Sequence, residues 1–61
     1  MKTEQIKKGA QVRISSQQLR ARVWILVGVE VSERGLSLVL ERTENGETIR
    51  REENATDCEP A

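Results

Sequence analysis

Val23-Trp24-Ile25-Leu26-Val27-Gly28-Val29-Glu30-Val31 is the stretch that decides the fold. Its odd positions are all β-branched and apolar. Successive strand residues point to opposite faces, so these five share one face in a regular strand. β-Branched side chains suit a pleated, half-buried surface.

Working outward, Ser32-Glu33-Arg34-Gly35 separates this run from Leu36-Ser37-Leu38-Val39-Leu40. A loop of this kind is built on a type I turn, with Gly35 free to take φ > 0. The pattern sets Val31 opposite Leu36, Val29 opposite Leu38 and Val27 opposite Leu40. A one-residue slip would set those valines against Ser37 and Glu41, so burial selects the first register. Asn45-Gly46 then predicts a type I′ hairpin. It sets Glu44 against Glu47, Thr43 against Thr48, Arg42 against Ile49 and Glu41 against Arg50. The charged run 47–52 suits an edge strand.

Upstream, residues 10–15 alternate, with Val12 and Ile14 on one face. Residues 16–21 suit a loop or one helical turn, anchored by Leu19. The expected fold is therefore all-β, a small four-stranded antiparallel meander with strands near 10–15, 22–31, 36–42 and 47–52. Residues 10–53 form the domain, 1–9 a flexible N-terminal arm, and 54–61 an acidic flexible tail.

One face of this meander gathers Val23, Ile25, Val27, Val29, Val31, Leu36, Leu38, Leu40 and Ile49. With Val12, Ile14 and Leu19 they are the expected core. The other face carries Trp24, Leu26, Gly28 and Val39, bordered by Arg22. A sheet that is apolar on both faces must cover both. Either it curls into a small barrel, with Gly28 marking the bend, or the second face meets a partner.

At 61 residues the chain is one domain at most. So short a chain buries about 60% of its unfolded surface, and self-association is one route to further burial. Cys58 is the single cysteine and histidine is absent, which excludes an internal disulfide and leaves no ligand set for structural zinc. No cofactor is expected. The N-terminus lacks the apolar stretch of a signal peptide. The apolar run 23–29 is far shorter than the roughly 20 residues a membrane helix needs. A cytoplasmic protein, with no membrane contact, is expected.

Net charge is zero, but residues 1–25 carry six basic side chains against one acidic, and residues 26–61 carry four against nine. The two halves either neutralise each other across the fold or present a basic surface beside an acidic one. Without histidine the commonest general base is missing. Asp57 and Glu59 beside Cys58 disfavour a thiolate nucleophile. No glycine loop cradles phosphate. The chain is read as non-enzymatic, with no small-molecule substrate.

Lys8-Gly9-Ala10-Gln11-Val12-Arg13-Ile14, followed by a variable loop and a three-stranded meander, resembles the opening of SH3-like small barrels, including KOW-type domains. The resemblance implies a curled barrel. SH3-like peptide binders line their groove with several aromatic side chains. Here only Trp24 is present, so the resemblance extends to fold and not to function.

Two functional classes remain. The first is a protein-binding adaptor or regulatory module, self-associating as a homodimer or binding another protein through Trp24, Leu26, Val39 and Arg22. Trp and Arg are enriched among interface anchors. The competing reading of Trp24 is a core residue of a curled barrel. The second class is a nucleic-acid-binding small barrel that contacts phosphate through Lys7, Lys8, Arg13, Arg20 and Arg22. The absence of Phe and Tyr removes the usual base-stacking platform.

Overall fold

The computed structural model describes residues 2–15 and 22–61. They form one five-stranded sheet in which every pairing is antiparallel: β1 (Gln11–Ile14), β2 (Trp24–Ser32), β3 (Gly35–Glu44), β4 (Glu47–Asn54) and β5 (Cys58–Pro60). The sheet order is β4-β3-β2-β1-β5, so β4 and β5 are its two edges and the sheet is not closed. Thr3–Gln5 and Ala55–Asp57 are short 3-10 turns. The all-β meander is present, extended by a fifth strand.

Both hairpins turn where the residues demand it. Asn45 (φ 52°) and Gly46 (φ 79°) take the two positive φ values of a type I′ turn, and Glu44 pairs with Glu47, Thr43 with Thr48 and Arg42 with Ile49. At the other hairpin Gly35 has φ 102°, Val31 pairs with Leu36, and Val29 pairs with Leu38. A side chain at Gly35 would be strained, because L-residues rarely adopt that conformation.

The expected pairing of Val27 with Leu40 does not occur. Leu26 pairs with Leu40 and Gly28 with Val39, so the ladder slips at Val27. A β-bulge places one extra residue on β2 and resets its alternation. Above the bulge, Trp24 and Leu26 therefore share the face of Leu38 and Leu40. Below it, Val29 and Val31 do.

The slip turns Val23 and Ile25 away from the core and brings Trp24 and Leu26 into it. The buried cluster is Val12, Ile14, Trp24, Leu26, Leu38, Leu40, Ala55 and Cys58, with Ile6, Ala10 and Leu36 packed against it. Val23 and Ile25 lie on the opposite face and are exposed; Val29 and Val31 keep to the core side and are exposed at its open edge, and Ile49 is exposed as well. Val27 and Leu36 are half-buried. Leu19 lies outside the described residues.

The chain ends are also built into the fold. Cys58 pairs with Ile14, Glu59 with Arg13 and Pro60 with Val12, so part of the expected tail becomes β5. Its strand has one free edge, where proline's missing N–H costs nothing. At the other end Ile6 covers the core beside Leu36.

Candidate functional site

The ladder between β1 and β2 is short. Val12 pairs with Trp24 and Gln11 with Ile25. One step further, Leu26 N–H donates to Ala10 C=O at 2.9 Å and Leu26 C=O accepts from Gly9 N–H at 2.8 Å. Beyond Leu26 the chain turns away through Lys7–Ala10, closed by Ala10 N–H donating to Lys7 C=O at 3.0 Å. β2 continues for six more residues to Ser32. Among the described residues, none pairs with that side of β2 from Gly28 to Ser32.

The face of a strand residue determines which edge receives its N–H and C=O. Leu26 points into the core and presents its backbone groups to the β1 side. Val29 and Val31 stand opposite Leu38 and Leu36, hence on the same face. Their backbone groups therefore point to the same side, where β1 has ended. Val29 is 43% exposed and Val31 83%. An apolar edge with unmatched backbone groups is a template for another strand.

A groove of about 250 Å³ opens at the start of β3. Leu36, the partner of Val31, lines it together with Ile6 and Ala55. Arg34, Asn54 and Thr56 supply polar groups. Asn54 ties the groove together: its Nδ2 donates to Arg34 C=O at 3.3 Å, and its Oδ1 accepts from Thr56 N–H at 3.0 Å and Thr56 Oγ1 at 2.8 Å.

The residues expected to bind a protein do not share a surface. Trp24 and Leu26 are in the core, while Val39 is half-buried on the opposite face beside Gly28. The bulge at Val27 is the cause. Arg22 is exposed and donates to Glu44, which also accepts from Arg42. The two guanidiniums hold the Glu44 carboxyl below its ordinary value, the hydrogen bond from Arg22 being the larger influence. Arg42 stacks on Trp24, with its guanidinium carbon 4.9 Å from the ring centroid. Trp24 Nε1 and Arg42 Nε are buried with no hydrogen-bond partner among the described residues.

The residues expected to contact phosphate are only partly available. Lys7 and Lys8 lie in or beside the turn before β1, and Arg13 is exposed on the face away from the core. Arg22 is engaged with Glu44, and Arg20 lies outside the described residues. Cys58 is buried, and its Sγ lies 3.5 Å from Asn54 C=O. Burial raises its pKa, and the charges of Glu53 and Asp57 act in the same direction.

Among the described residues no helix is long and apolar enough to cross a membrane. No protein-family model, curated protein or solved structure matches the chain.

Proposed function

We propose that this chain is a small, non-enzymatic protein-binding module of SH3-like build that takes an extended segment of another protein along β2. The observation that carries the reading is the unmatched edge Gly28–Ser32, with Val29 and Val31 exposed on it. Strand addition at such an edge draws affinity from backbone hydrogen bonds and specificity from alternate side chains. The SH3-like build is supported by the Lys8–Ile14 opening and by the three-stranded meander β2-β3-β4 that follows it. The module would work inside the cytoplasm as an adaptor or regulator.

The test is selection of displayed peptides on the immobilised protein, with a Val31→Lys variant as counter-target. Peptides that bind the parent and lose the variant support the reading. Peptides indifferent to Val31→Lys, or none at all, count against it. Nucleic acid is the alternative ligand, favoured by exposed Lys7, Lys8 and Arg13, none of which has an ion pair among the described residues. Its signature would be affinity for duplex at low salt that falls steeply as salt is added.

A further inference from the structure

We infer that the segment taken by this edge carries a basic residue between two apolar ones, with the basic side chain set opposite Glu30. This deepens the protein-binding reading of the β2 edge and rests on it. Val29 and Val31 present their backbone groups outward, so an added antiparallel strand forms hydrogen-bonded pairs with both. Glu30 then falls in the non-hydrogen-bonded pair between them. In such a pair the Cα atoms approach to about 4.5 Å and the side chains lie closest.

Glu30 points to the face away from the core, opposite Ser37 on β3. Its same-face neighbours along β2 are Gly28 and Ser32, and among the described residues no cation pairs with it. The incoming residue opposite Glu30 therefore meets one uncompensated negative charge at short range. Lysine or arginine is attracted there and glutamate or aspartate repelled. On the other face Val29 and Val31 call for β-branched or other apolar neighbours.

The same geometry argues against a second copy of this chain. The self-pairing that uses both outward residues sets Val29 against Val31 of the other copy, and it forces Glu30 against Glu30 at the closest pair. Moving the register by two residues in either direction separates the glutamates. It also leaves one hydrogen-bonded pair in place of two, because the bulge at Val27 ends the edge on one side and the turn at Glu33 ends it on the other. A charge placed this way guards an edge against its own kind while admitting a strand of opposite charge.

Three otherwise identical peptides centred on Val-Lys-Val, Val-Gln-Val and Val-Glu-Val test this by NMR titration of the labelled protein at low salt. The amides of Val29 and Val31 are expected to shift. Affinity should fall in the order Lys, Gln, Glu, with about fivefold or more between the extremes, and the spread should narrow as salt is raised. Glu30→Lys, an exposed substitution whose spectrum reports an intact fold, should reverse the order. Equal affinities with shifts at Val29 and Val31 would overturn the basic-residue assignment while leaving the edge reading in place. No shift at either amide with any peptide would overturn both. A parent protein that sediments as a dimer with those two amides protected from exchange would overturn the assignment in favour of self-pairing.

Discussion

Leu26 stands directly opposite Leu40, a place that unbroken alternation along β2 gives to Val27. Both leucines are fully buried, while the β-branched residues Val29 and Val31 lie outside the core. Leu40→Ala should therefore cost about 2–5 kcal/mol, as large-to-small core substitutions do. Val31→Ala should stay within about 0.5 kcal/mol, as exposed substitutions do. Urea unfolding of both variants is the check. Equal losses would mean that Val31 is covered as fully as Leu40 and that the β2 edge is not open.

That contrast marks where sequence reasoning held and where it stopped. The turns were legible because they rest on local chemistry: Asn45-Gly46 takes positive φ readily, and so does Gly35. The pairs Val31–Leu36 and Val29–Leu38 followed from those turns. The bulge was not legible as a change of face. Five β-branched residues at period two read as one surface, and only Gly28 hinted at irregularity nearby. Period two puts Trp24 on the second face, and the bulge turns it into the core, as the competing core reading of Trp24 has it. The β2 edge was missed for a different reason. It exists because β1 stops at the Lys7–Ala10 turn, which nothing within the β2 run records. β5 was missed because Cys58-Glu59-Pro60 has no apolar alternation, and it is held in place by the open edge of β1.

Trp24 lies under Arg42, and the pairing of ring and guanidinium should contribute about 0.5–2 kcal/mol. Arg42→Met keeps much of the aliphatic stem and removes the charge, so its loss should fall in that range. Trp24→Phe keeps an aromatic face and removes the indole N–H, which is buried without a partner among the described residues. Relief of that donor offsets part of the lost packing. Its cost should therefore be below the 3–5 kcal/mol typical of truncating a buried aromatic to alanine. Trp24→Glu should fail to fold. Thermal melts followed by circular dichroism distinguish these results.

Glu44 supplies an acid-sensitive contribution. Its pKa is lowered in the folded chain by Arg22 and then Arg42, from an ordinary value of 4.5. A lowered carboxyl contributes stability that is present above the unfolded value and is lost as pH falls through the folded one. The Tm of the parent should therefore drop between about pH 5 and pH 3 more than that of Glu44→Gln. The two should differ little in slope above pH 6. Identical acid limbs would show that the Arg22–Glu44–Arg42 cluster contributes nothing in solution, as many exposed ion pairs do not.

Cys58 should react slowly with thiol reagents in the native state. It is buried, and burial with the nearby charges of Glu53 and Asp57 keeps it protonated above the ordinary thiol range. The thiolate is the reactive species. A raised thiol pKa contributes stability below the unfolded value, and that contribution is lost as pH rises through the folded one. Modification at pH 8 should accelerate sharply in denaturant, and stability should decline above about pH 9. Native-state labelling as fast as that of the unfolded chain would contradict burial of this side chain.

The segment 55–61 should be required for folding, although its composition resembles a dispensable tail. Ala55 and Cys58 are part of the buried cluster, and β5 pairs with Val12, Arg13 and Ile14. Ser15 N–H also donates to Asp57 C=O at 2.7 Å, and Ala61 N–H to Gln11 C=O at 3.1 Å. Removing residues 55–61 would expose one side of Val12 and Ile14 and turn β1 into an edge. Few other buried residues are available to compensate, and a domain this small has only a few kcal/mol of stability to lose. A chain ending at Asn54 should lose its cooperative thermal transition and the dispersed amide spectrum of a β-sheet. Cys58→Ala in the full-length chain is the milder control, removing one buried sulfur while keeping the β5 ladder. It should remain folded with a lowered Tm. A truncated chain that melts cooperatively near the parent Tm would show that β1 needs no cover from β5 and that the sheet is complete with four strands.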